Sequence, residues 1–111
     1  MNEDIFYKLR KNWGPMAEAM NCYAEIKYHD PNSGWACYIY AINPEDDDEI
    51  ACIINDRGDI DVIKWSYAAL NAIYNEVGEH PQIDDEYRPM RTAILFKRLC
   101  DHHEEKWPRK R

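Results

Sequence analysis

Cys100-Asp101-His102-His103 is the stretch whose residue types come closest to metal chemistry. On a helix, Cys100 and His103 stand three apart on one face, within reach of a single ion. Zinc asks for at least a third protein ligand, and His29, His80, Cys22, Cys37 and Cys52 are all distant along the chain. Two histidines in a polar last turn more simply complement the negative end of a helix dipole. No metal and no cofactor are therefore expected. A small hydrolase or metal-dependent enzyme built on Cys100, His102 and His103, or on a carboxylate pair, is the second reading. The chain has no G-x-S-x-G, no H-E-x-x-H and, with only four glycines, no glycine-rich phosphate loop. No catalytic residue is assigned.

Carboxylates dominate the remaining chemistry. Glu45, Asp46, Asp47, Asp48 and Glu49 are consecutive, Asp56, Asp59 and Asp61 follow, and Asp84, Asp85 and Glu86 form a third group. Consecutive acids repel one another and hold a loop in water, where it can face basic residues of a partner. The run lacks the spacing of an EF-hand loop. Asp30-Pro31-Asn32-Ser33-Gly34 begins like a calcium loop, but Trp35 and Ala41 occupy the positions of the required glycine and closing acid. It reads as a reverse turn. Arg57-Gly58-Asp59 spells an integrin-binding tripeptide, and turn composition accounts for it, since Gly58 readily adopts positive φ.

The charge is distributed unevenly. Residues 29–87 hold fourteen acids against Arg57 and Lys64, a sum of −12, while the first 28 residues sum to zero and the last 24 to +5. The basic end carries Arg88, Arg91, Lys97, Arg98, Lys106, Arg109, Lys110 and Arg111, with Trp107 among them. Phosphate contact and base stacking by that arm is a third reading. The net charge of −7 opposes it at long range, so direct nucleic-acid binding is not expected. No apolar run reaches the roughly 20 residues of a membrane span. With no basic and apolar leader at the N-terminus, a cytoplasmic protein with four reduced cysteines is expected.

The elements that must position these groups are legible as follows. Residues 3–11 read as a helix, capped by Asn2, with Ile5, Phe6 and Leu9 on one face. Gly14-Pro15 breaks it, and a short turn over Met16 to Met20 precedes the first strand. Cys22 to Tyr28 alternates. Trp35 to Ile42 is apolar on both faces, with Trp35, Cys37, Ile39 and Ala41 on one side and Ala36, Tyr38, Tyr40 and Ile42 on the other. That pattern marks a central, doubly covered strand. Asn43 to Asp48 reads as a polar loop, Ile50 to Asn55 as its hairpin partner, and Ile60 to Ile63 as a fourth short strand. Cys37 and Cys52 flank the acidic hairpin and are expected as cross-strand neighbours. From Trp65 the period becomes helical through Ala69, Leu70, Ile73 and Val77, with Gly78 as the stop. Pro89 opens a last helix that buries Met90, Ala93, Ile94, Leu95, Phe96 and Leu99 and ends at Trp107-Pro108.

From Glu25 to Met90 the order of features resembles a family of small uncharacterised domains carried on bacterial plasmids, integrative elements and phages. The features are the strand Glu25-Ile26-Lys27-Tyr28, an Asp-Pro turn, the strand Trp35 to Ile42 and the loop Pro44-Glu45-Asp46-Asp47-Asp48. The strand Ile50 to Ile54, the segment Ile63 to Ile73 and the acidic loop Ile83-Asp84-Asp85-Glu86-Tyr87-Arg88-Pro89 complete the series. The resemblance implies an accessory gene of a mobile element and transfers no catalytic residue.

Together these readings give one α+β domain over 1–107 with a basic tail at 108–111. Its sheet is three- or four-stranded and mainly antiparallel, with an N-terminal helix, a helix after the strands and a C-terminal helix. The expected function is a non-enzymatic protein-interaction module, in the manner of a phage- or plasmid-encoded anti-CRISPR or anti-restriction inhibitor. It would fill a basic nucleic-acid-binding groove of a host protein. The expected binding residues are Glu45, Asp46, Asp47, Asp48, Glu49, Asp56, Asp59, Asp61, Asp84, Asp85 and Glu86, and a homodimer is compatible with this reading.

Overall fold

The computed structural model describes residues 3–14 and 21–106, except for the side chains of 102–106. The chain runs through helix α1 (Glu3–Lys11), strands β1 (Tyr23–Ala24), β2 (Ile26–His29), β3 (Ala36–Asn43), β4 (Asp46–Asp56) and β5 (Asp59–Ser66), then helix α2 (Tyr67–Ala72), strands β6 (Gln82–Ile83) and β7 (Met90–Arg91), and helix α3 (Thr92–Lys106). The α+β class holds. The sheet is larger than the sequence suggests: five antiparallel strands in the order β5-β4-β3-β2-β6, with β1 and β7 paired separately. The extra strands are only two residues long, too short for any period to show in a sequence. The expected turn over Met16 to Met20, the Asn2 cap and the end at Trp107-Pro108 lie outside the described residues.

β3, apolar from Ala36 to Ile42, is central, as its pattern requires, and two cores form on its two faces. One gathers Ile26, Tyr28, Cys37, Ile39, Ile42, Ile50, Cys52 and Ile54 beneath Leu9 of α1 and Leu70 of α2. The other gathers Ala36, Tyr38, Tyr40, Ala41, Ala51 and Ile53 beneath Leu95 of α3. Strict alternation would place Ala41 with Ile39 and Ile42 with Tyr40. Instead the register slips by one residue between Ile39 and Ala41. That bulge puts an extra residue into β3 and exchanges the faces of everything beyond it. Ala41 therefore joins the α3 side and Ile42 the α1 side.

Three boundaries differ from the sequence reading. The expected strand Cys22 to Tyr28 changes partner at Glu25, with β1 pairing to β7 and β2 to β3 and β6. The expected Asn43–Asp48 loop is a tight turn, and β4 carries Asp46 to Glu49 in extended backbone. The helix expected to reach Val77 stops at Ala72, because β5 runs on to Ser66 and Ile73 is already extended at ψ 156°. Gly78, with φ +82°, serves a later turn in which its N–H donates to the Asn75 carbonyl.

In α3, Leu95 is buried and Phe96 and Leu99 are half-buried, whereas Ile94 is 47% exposed and Ala93 faces out. Because the helix starts at Thr92 rather than Pro89, its inner stripe is 92, 95, 96 and 99. Met90 packs from β7 instead. No helix among the described residues is long and apolar enough to cross a membrane.

Candidate functional site

Because β4 is a single long strand, it separates the acids that the sequence groups. Asp46 and Asp56 are its two ends, ten residue steps or roughly 30 Å apart. Asp84 to Glu86 follow β6 on the opposite edge of the sheet from β5. The eleven sequence-predicted carboxylates thus fall into three places rather than one surface.

At the β3–β4 end most of these carboxylates are occupied within the fold. Asp48 accepts from Ser66 Oγ at 2.6 Å and from the Ala68 N–H at 2.8 Å. Ser66 is itself the N-cap of α2, accepting from the Ala69 N–H at 3.1 Å. Asp48 therefore completes the capping of a helix that follows another strand, and these two bonds hold its carboxyl below the usual range. Asp47 meets Arg10 of α1 at 3.0 Å, Glu49 accepts from Asn43 Nδ2 at 2.7 Å, and Asp46 accepts the Asp48 N–H at 3.0 Å.

The group after β6 is partly committed too. Asp84 pairs with Lys27 at 3.3 Å. Its partial desolvation pulls the pKa up, but the Glu86 N–H and the Lys27 ammonium outweigh that and hold it low. Asp85 and Glu86 are exposed, and neither carboxylate makes a hydrogen bond or ion pair among the described residues.

The third place is different, since residues that the sequence reading left out close around it. A groove of about 820 Å³ opens at the β4–β5 end, lined by the Asp30–Ser33 turn, Trp35, Asp56, Arg57 and the segment from Ile73 to Pro81. Asn75 assembles its wall. Its side chain donates to Asp30 at 3.2 Å and accepts the N–H groups of Val77 (3.0 Å) and Glu79 (2.9 Å). His80 Nδ1 bonds the Ile73 carbonyl at 2.6 Å, an arrangement in which that nitrogen carries the proton. Asn32 Nδ2 donates to Glu79 across the groove wall at 2.9 Å.

Asp30, almost buried, accepts the Asn32 N–H at 3.0 Å and Ser33 Oγ at 2.8 Å. These bonds, the Asn32 amide first, hold its carboxyl below the usual range. So fixed, the segment leaves Tyr74 and Val77 standing in solvent at 71% and 73% exposure beside half-buried Trp35 and Ile73. Around them stand Asp56, Glu76 and Glu79, against Arg57 as the one lysine or arginine in the lining among the described residues. Glu76 makes no hydrogen bond or ion pair among the described residues.

Among the described residues here Ser33 Oγ donates to the Asp30 carboxylate and His80 Nδ1 to a backbone carbonyl, so the serine and the histidine do not pair with each other. Among the described residues no group of three His, Cys, Asp or Glu is placed to hold a metal. The side chains of His102 and His103 lie outside the described residues. Cys37 and Cys52 are buried on one face, diagonal rather than directly opposite, since Cys37 pairs with Ile54 and Cys52 with Ile39.

In the sequence Asp30 reads only as part of a turn, and nothing there singles out Glu76. Asn75, Gly78 and Pro81, all turn formers, are the available signal that this stretch is a loop. Comparison with protein-family models, with curated proteins and with solved structures finds no match for this chain.

Proposed function

We propose that the chain is a non-catalytic protein-interaction module that docks onto a basic surface of a partner protein. The observation that supports this most is the groove at the β4–β5 end, where exposed Tyr74 and Val77 stand among Asp56, Glu76 and Glu79. Apolar side chains held out in solvent beside like charges are costly to keep without a use, and together they match the centre and rim of a docking site. Asp59 and Asp61, exposed on the adjoining edge strand, extend the same negative field. As the product of a mobile element, such a module would act by covering a nucleic-acid-binding surface of a host protein.

The test compares two charge reversals of equal size against the partner recovered from the host. Asp56→Lys, Glu76→Lys and Glu79→Lys together take the net charge from −7 to −1, and so do Glu45→Lys, Asp46→Lys and Asp47→Lys. The groove variant is expected to slow association at least about tenfold at low salt, with the gap narrowing above about 0.15 M. The β3–β4 variant should lose much less. Unchanged binding by the groove variant at every ionic strength would dispose of the reading.

A further inference from the structure

We infer that the groove at the β4–β5 end receives an arginine side chain of the partner, a deeper statement that rests on the docking reading above. Three features of the groove converge on a guanidinium. The exposed ring of Tyr74 and the half-buried Trp35 offer flat apolar surfaces. A guanidinium stacks on such faces, whereas a lysine ammonium is a strongly hydrated point charge. Glu76 has its carboxylate uncommitted among the described residues, and Asp56 and Glu79 stand on the same lining, so bidentate capture has acceptors available. Finally, the chain already holds a guanidinium at this rim: Arg57 Nε donates to Asp56 Oδ1 at 3.3 Å.

That last contact is made from an uncommon backbone. Arg57 has φ +53°, a left-handed conformation that a non-glycine residue adopts at a cost. The two-residue turn between Asp56 and Asp59 thus fixes an arginine on the groove, where it serves as the resident counter-cation. An incoming arginine competes with it for Asp56, and Arg57 lowers the affinity of the free groove for any cation. The occupant is therefore an arginine on an extended or loop segment, with its stem lying along Val77 and Ile73.

The test uses three blocked pentapeptides, carrying two arginines, two lysines or two citrullines, titrated into the full chain and followed by amide NMR shifts. The arginine peptide should bind and shift Trp35 and residues 73–79. The lysine peptide should bind at least about fivefold more weakly, and neutral citrulline should give no saturable shift. Tyr74→Ala and Glu76→Gln should each weaken the arginine peptide about five- to tenfold. Arg57→Gln should tighten it a few-fold. Equal binding of the lysine peptide, indifference to Tyr74→Ala, or shifts centred on residues 45–49 would each overturn the inference. If the arginine peptide fails while the groove reversal still slows association of the whole partner, the arginine inference falls and the docking reading stands. If both fail, both are wrong.

Discussion

The left-handed Arg57 yields a prediction whose size can be worked from the backbone. The β4–β5 connection is a two-residue loop with φ +53° at Arg57 and +106° at Gly58, the sign pattern of a type I′ turn. Asparagine is favoured at the first position, because its short polar side chain tolerates the left-handed region, where other L-residues lose about 1–2 kcal/mol. Arg57→Asn relieves most of that. It also removes the Arg57–Asp56 ion pair, whose side chains are 69% and 53% exposed. A pair so open to solvent contributes only a few tenths of a kcal/mol, and less with added salt.

The net expectation is a gain of about 1 kcal/mol, or about 4 °C in Tm for a domain of this size. Arg57→Ala is the control: it removes the same charge and keeps the strain, so it should be neutral to slightly destabilising. Urea unfolding followed by tryptophan fluorescence measures both. With a slope near about 1.5 kcal/mol/M, the two midpoints should differ by about 0.7 M at equal slope. If alanine and asparagine give the same midpoint, the turn is not strained and the argument that Arg57 is held in place at a cost fails.

Acid should weaken the fold through the carboxylates whose pKa the structure lowers, Asp30, Asp48 and Asp84. A depressed folded-state pKa gives stability that is complete above the unfolded value of about 3.9 and is lost as pH falls through the folded value. Asp30→Asn should therefore flatten part of the decline in urea midpoint between about pH 5 and 2, and parallel curves for the two proteins would refute it. All four cysteines should titrate as free thiols in denaturant. In native protein Cys37 and Cys52 should react far more slowly than the half-buried Cys22 and Cys100, because both are buried, and the neighbouring Cys52 thiol together with burial raises the Cys37 thiol well above the usual range. Fast reaction of all four in the native state would contradict that placement. Ile39→Ala, a fully buried change beneath α1, should cost about 2–5 kcal/mol, and a loss under 1 kcal/mol would mean that the α1 core is not packed as described.

The sequence by itself determined what depends on local chemistry and short periods. Trp35 to Ile42, apolar at every position, can only be a strand covered twice, and β3 lies between two cores. Asp30 to Gly34 and Arg57-Gly58 are turns because their residues cap their own backbone or admit positive φ. The first helix over residues 3–11 follows from its acidic first turn and its Ile5, Phe6 and Leu9 stripe.

What tertiary structure alone decided is which of these pieces meet. The bulge beyond Ile39 moved Ala41 and Ile42 to opposite cores, and one residue of slip leaves no trace in composition. The eleven residues of β4 carry the acids before Ile50 and those after Asn55 to two distant ends. Asp48 was turned into a helix cap by Ser66 and Ala68, residues eighteen and twenty positions away. Asp30 and Glu79 came to one groove through Asn75 and Asn32, across separations of up to 47 residues, and Asp56 and Glu76 line it with them. Like charges carry no information about their own neighbours. Where they gather is set by the hydrogen bonds and apolar packing of the elements that bear them.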